Sequence, residues 1–248
     1  MEKKKKIIYR DVKTENTSIP YALIRTRRRT LAVKITEQGE VEVRAPIRLP
    51  LAEIEGFLRE KEDWICRKSG EARKLARKKE KFSVTYGSLL RLGGETYPLL
   101  ASEWKGFGWD GQAKCFTAPP GLDEDALKSG IIALYRDLAK QYVTQEVRRQ
   151  TVKIGVNPQK IRINSAASRW GSCSSTGNLN FSWRIIMADE GARRYIVIHE
   201  MCHLKEFSHS PDFWKLVAEY CPDYEAQRVK LDALSRVLHS ENWTNGIK

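Results

Sequence analysis

The sequence predicts an α+β fold: a basic, β-rich N-terminal part, then a compact α+β part built around one largely apolar helix. Three observations predict it. Residues 21–46 read as strands, and within them "LAVKITEQGEVEVRA" alternates apolar and polar side chains about the "EQGE" segment, the period of paired strands joined by a tight turn. Residues 51–80 instead repeat Leu51, Ile54, Phe57, Leu58, Trp64 and Ile65 near helical spacing. Residues 195–204, "YIVIHEMCHL", are apolar on most sides yet carry His199, Glu200 and His203, the mark of a core helix interrupted for a reason.

Taken in order, the strands of 21–46 end at Pro46 and Pro50, and the amphipathic helix of 51–80 follows. Its tail, Arg67 to Lys81, is strongly basic and reads first as a solvated helix. Residues 82–119 return to short strands broken by "GG", "GFG" and "PPG". Residues 123–155 form a long helix with an acidic start, as the helix dipole favours. The segment around "GSCSSTGNLNF" reads as a hairpin turning at "SSTGN". Two or three helices close the chain, the first capped by Asp189. The expected division is a basic β-rich domain with one amphipathic helix over residues 1–120 and a second domain over residues 121–248.

Composition bounds the function. With 248 residues, 41% hydrophobic and 30% charged, the chain can bury a core without disulfide staples. Its five cysteines are scattered and form no CxxC pair, which disfavours a thiolate zinc site and fits a reducing compartment. The basic start "MEKKKKIIYRD" is followed by no apolar stretch of export-signal length. No run suits a membrane span, so the expectation is a cytoplasmic protein without a membrane partner. The net charge of +13 is uneven: residues 157–248 hold 12 Lys/Arg and 10 Asp/Glu, and the first 156 hold 32 and 21. That asymmetry makes nucleic acid a candidate partner of the front part, beside the plainer reading of a solvated basic surface.

The pair His199 and His203 is the most specific signal. Residues four apart share a helix face, one turn apart, so both imidazoles can reach one cation. Glu200 beside them is placed to take a proton from a metal-activated water rather than to bind the metal. This pattern predicts one Zn2+ per chain. A catalytic zinc takes a third protein ligand and leaves a position open. His209, Glu219 and Glu225 are the candidates, and the spacing together with the helix start "SPDF" favours His209. The long metzincin motif does not fit, because position 206 is Glu rather than Gly and no methionine follows His209. Arg169, Trp170, Ser172 and Asn180, on the segment before the histidine helix, are candidates to line a substrate cleft, whose edge can pair with an extended peptide. Cys173 and Cys202 read as core thiols, and Phe213 and Trp214 as core aromatics. Asp212, Asp223 and Tyr224 are candidates to orient the imidazoles.

The segments "SRWGSCSSTGNLNFSWRIIMA", "YIVIHEMCHLKEFSHSPDFW" and "CPDY" together resemble the YgjP-like metallopeptidase family, relatives of the SprT-like zincins. The resemblance is close over residues 165–225 and looser in the basic front half. It implies a zincin-like α+β domain with the HExxH helix packed on a small sheet. It also implies a zinc hydrolase with ligands His199, His203 and His209 and catalytic base Glu200, acting on a peptide or protein. Two alternatives stay open at this point: a metal-dependent hydrolase of nucleoside triphosphates, and a nucleic-acid- or ribosome-associated binding protein whose zinc is structural.

Overall fold

The structure, a computed structural model, describes residues 7–243; the lysine run at 3–6 lies outside them. It is a mixed α+β chain that divides into two compact units, Met1–Phe82 and Ser83–Lys248. Among the described residues no helix is long and apolar enough to cross a membrane.

In the first unit, strands β1 (Ile7–Lys13), β2 (Ser18–Thr26), β3 (Ala32–Ile35) and β4 (Val41–Pro46) form one sheet in the order β1-β2-β4-β3. Only β2 and β4 run parallel. The predicted turn closes at Gly39, whose φ of +79° and contact with the Ser69 carbonyl leave no room for a β-carbon. Val12, Ile19, Tyr21, Leu23, Val41 and Val43 face helices α1 (Leu51–Glu60) and α2 (Glu62–Lys81), which contribute Ile54, Leu58 and Ile65 to the same core. The single helix expected over 51–80 is therefore two, with the backbone leaving helical geometry at Lys61. No breaker residue marks the joint. Helix-type hydrogen bonds still cross it, from the Lys61 amide to Phe57 and from the Ile65 amide to Lys61, so the apolar spacing carries through.

The second unit begins earlier than the sequence suggested. Strands β5 (Leu89–Leu92), β6 (Glu95–Ala101), β7 (Gly108–Asp110) and β8 (Cys115–Ala118) form a sheet in the order β5-β6-β8-β7. This sheet belongs with the helices that follow, not with the basic front, and the division falls at residue 82 rather than 120. The reason is packing. Phe116 of β8 meets Tyr135 of helix α3 (Glu124–Ile154) edge to face at 5.7 Å, and Tyr135 stacks on Trp183 at 5.5 Å. All three rings are fully buried. The Gly93 and Gly94 amides donate to the carbonyls of Ile186 and Met187. Neither link alters local composition, so a strand count alone could not find it. Helix α3 starts as expected, with the Asp123 carboxylate accepting from the Ala126 amide, and ends at left-handed Gly155.

A three-stranded sheet then positions the site: β9 (Lys160–Asn164), β10 (Gly171–Cys173) and β11 (Asn178–Ser182), in the order β10-β11-β9. The β10–β11 hairpin turns through Gly177, as predicted. A 3₁₀ turn (Trp183–Met187) leads into α4 (Glu190–Cys202), followed by α5 (Pro211–Tyr220) and α6 (Tyr224–Leu238). Helix α4 packs on β10, the arrangement of histidine helix on small sheet that the resemblance implied.

Candidate metal centre

Helix α4 is buried on nearly every side because Tyr195, Ile196, Val197, Ile198, Met201 and Cys202 surround its axis. Its first turn is fixed by Asp189, whose carboxylate accepts from the Ala192 amide at 3.0 Å. At the other end the helix stops at Cys202, and His203 is its C-cap. The chain turns back through 204–209, and α5 starts at Ser210, whose hydroxyl accepts from the Phe213 amide. With Pro211 at the first helical position, this start fixes where the residue before it points.

That residue is His209, and it meets the helix pair. One ring nitrogen from each of His199, His203 and His209 lies within 4.8 Å of the other two. Neither Glu219 nor Glu225 joins this group. The Nε2 atoms of His199 and His209 are 3.2 Å apart. Two nitrogens on one tetrahedral zinc ion stand about 3.3 Å apart, given Zn–N of about 2.05 Å.

The outer nitrogens decide which atoms are available. The Nδ1 of His203 lies 3.0 Å from the Glu206 carbonyl. A carbonyl only accepts, so Nδ1 carries the proton and Nε2 presents a bare lone pair. Nδ1 of His199 lies 3.4 Å from the Tyr195 hydroxyl; with its Nε2 turned to the cluster, it can donate outward. Burial, reinforced by the neighbouring His203 and His209, pushes the His199 pKa down to about 3. Burial also lowers His203. Neutral imidazoles with lone pairs converging are what a divalent cation requires, and this donor set fits zinc.

Phe213 stacks on His203 at 4.4 Å and Trp214 on His209 at 5.6 Å. The aromatics read as core thus also wall the histidines. The orienting partners differ from those expected. Asp212 pairs with Lys215, Asp223 accepts from Gln227, and Tyr224 stacks on Trp214. Tyr195 and the Glu206 carbonyl hold the rings instead. Tyr195 stands four residues before His199, a spacing that reads as part of an apolar stripe, and a backbone carbonyl has no signature in sequence.

Glu200 is only 6% exposed. Burial pushes its carboxyl up to about 8, opposed by the positive Arg169. Strand β10 passes so close that a β-carbon on Gly171 would stand 2.6 Å from the Glu200 carboxylate, so this glycine is required by a close approach. Cys173 is near enough for the Glu200 charge to contribute to its raised pKa, after burial, but is not in the metal group. Gly171 and Phe181 are register partners and share the face toward α4, whereas Ser172 and Asn180, the next pair, lie on the opposite face. Ser172 and Asn180 pair with each other through their backbone groups in the β10–β11 ladder, and their side chains lie on the face away from Glu200. Arg169 and Trp170 line a cavity of about 180 Å³ with Ser182, Arg184, Asp232 and Ser235. Trp170 is held by a hydrogen bond from its indole N–H to the Ser235 hydroxyl. Arg184, which the sequence did not single out, is buried and donates to the Ser165 and Ala166 carbonyls. It anchors the loop that delivers Arg169.

The architecture and the triad of imidazoles define the class: an α+β protein with three converging histidines that could hold a metal ion, and a buried glutamate at their edge. The sequence matches the YgjP-like metallopeptidase domain over residues 29–234, and the chain belongs to that family. No curated protein matches it. The solved structures it resembles include two archaeal ones. One is the metallopeptidase zymogen of Pyrococcus abyssi abylysin, 22% identical, covering 38% of this chain and 94% of that one, with a TM-score of 0.34. The other is the metallopeptidase zymogen of Methanocaldococcus jannaschii jannalysin, 21% identical, covering 38% and 96%, with a TM-score of 0.33.

Proposed function

We propose that this chain is a zinc-dependent metallopeptidase in which His199, His203 and His209 hold the metal and Glu200 is the general base. The observation that carries this reading is the convergence of three imidazoles with no fourth His, Cys, Asp or Glu in the group among the described residues. A structural zinc normally takes four protein ligands, whereas a catalytic one keeps a position open. When bound, the metal supplies Lewis-acid polarisation of the scissile carbonyl and eases ionisation of water.

The chain's own residues do the rest. Glu200 accepts a proton from the attacking water and returns it to the leaving amine. Its burial suits the second half of that exchange, because a carboxyl whose neutral form is favoured holds the proton long enough to pass it on, while the positive Arg169 favours the ionised form that the first half needs. Gly171 keeps the strand backbone against that carboxylate and so limits where it can swing. Strand β10 pairs with β11 on one side only, and its other edge is suited to an extended peptide through main-chain hydrogen bonds. Arg169, whose charge acts on the Glu200 carboxyl, flanks the same approach, and the backbone groups on that free edge are those of Gly171 and Cys173, because Ser172 and Asn180 are turned toward each other in the ladder.

The test is to measure metal content and cleavage of a mixed peptide library together. Wild-type protein is expected to hold about one zinc per chain and to cleave. Glu200→Gln should keep the zinc and lose cleavage. Loss of zinc in Glu200→Gln, or unchanged zinc in His203→Ala, would refute the assignment.

A further inference from the structure

Among the described residues of the first unit, one face of the sheet carries the helices and the other carries exposed and half-buried side chains around Ile24, which is 8% exposed. Alternation sends Val12, Ile19, Leu23 and Val43 under the helices and the intervening residues to the other side. Register aligns Ile7, Ile24, Arg44 and Ala32 in one row across that second face, and Tyr9, Ala22, Glu42 and Lys34 in the next. Tyr9 is 80% exposed and Ile7 48%, unusual for an aromatic and a β-branched residue on a strand. Beside them Ile24, Thr26, Arg28 and Arg44 enclose a hollow of about 310 Å³. Arg28 donates from Nη2 to the Thr30 hydroxyl at 3.1 Å. Its Nε–H, however, is buried without a hydrogen-bond partner, which is costly unless an outside acceptor completes it. The acids of this face are already engaged: Glu42 accepts from Arg44 at 2.7 Å, and Asp11 accepts from Ser18. Residues 7–82 carry 19 Lys/Arg against 12 Asp/Glu, so the field over the face favours an anion.

We propose that this sheet face binds single-stranded RNA, with Tyr9 stacking on a base and Arg28 and Arg44 holding a phosphate above Ile24. The combination selects the ligand. Guanidinium forks match phosphate oxygens, and an exposed ring beside an apolar strip takes a flat base. An acidic peptide offers the charge without the planar rings, and a duplex hides its bases inside the stack. Four strands about 4.8 Å apart span about 14 Å, a width on which a sheet seats about two or three bases. The Thr26 hydroxyl supplies an acceptor for a ribose 2′-hydroxyl, which DNA lacks.

Fluorescence anisotropy of a labelled oligouridylate with the full chain, across a salt series, tests this. Arg28→Ala with Arg44→Ala should weaken binding at least about tenfold and flatten the dependence of log K on log salt by roughly 0.7, the loss of one phosphate contact. Tyr9→Ala should weaken it between about 5- and 150-fold with little change in that slope, whereas Tyr9→Phe keeps the ring and binds like the parent. Lys74→Ala with Lys78→Ala, on α2 and so on the covered side of the sheet, should have a much smaller effect. The proposal is overturned by any of four results: no binding at low salt, no effect of Tyr9→Ala, equal affinity for oligodeoxyuridylate, or competition by polyglutamate as strong as by RNA.

Discussion

Helices α2 and α4 place their polar residues in opposite ways. Of the 20 residues of α2 only Ile65 and Ser69 are buried, and Arg67, Lys74, Lys78 and Lys81 stand along one exposed stripe. Of the 13 residues of α4, eight are buried, and Glu200 is among them. Water solvates the charges of α2 at almost no cost, so their number says little about any one of them. A carboxylate inside α4 is costly wherever it is not compensated. A residue held there against that cost points to a role, and a residue on α2 does not. Burial, not charge count, makes a polar residue informative.

Substitutions on and around the two helices test this difference. The largest effect is expected from Glu200→Gln, which keeps the side chain's shape and removes the base. Peptide cleavage should fall on the order of 100- to 10,000-fold, with zinc content by mass spectrometry and the thermal melt both preserved. A melt lowered by several degrees would instead make Glu200 a structural residue.

On α2 the residue expected to matter is the apolar one. Ile65 is 1% exposed, and Ile65→Ala should cost about 2–5 kcal/mol in urea unfolding while leaving the metal site of the second unit intact. Less than about 0.5 kcal/mol would mean that α2 does not pack as described. Third comes the hydroxyl that orients His199. Tyr195→Phe removes that bond and little else, and zinc affinity measured by chelator competition should drop about 10- to 100-fold. Affinity equal to the parent's would leave His199 oriented by packing alone. The smallest effect belongs to the exposed charges: Lys74→Ala should change stability by less than about 0.5 kcal/mol. A larger loss on thermal melting would show that the basic stripe of α2 is structural.

The same distinction explains what the sequence made legible. The i, i+4 histidines, the Asp189 and Ser210 caps and the turns at Gly39 and Gly177 are local features, each written within a few residues. The approach of Gly171 to Glu200, the grip of Arg184 on the 165–166 carbonyls and the docking of β5–β8 against α3 join distant segments through backbone atoms or packing. They leave no periodicity to read. Ser172 and Asn180 were legible as strand residues, but which face they occupy depends on register, and a shift of one residue reverses it.

The end of α4 at Cys202, with His203 as its cap, has a dynamic consequence. Helix ends open more readily than helix middles, and this end holds two of the three converging imidazoles in its last turn while the third sits past a short loop. An ion bound there ties the frayed turn to the start of α5, closing a small ring of chain. Opening of that turn and release of the ion become one event. Zinc should therefore slow amide hydrogen exchange most at residues 203–206, by a factor that rises with metal concentration, while the amides of α3 exchange at their own pace.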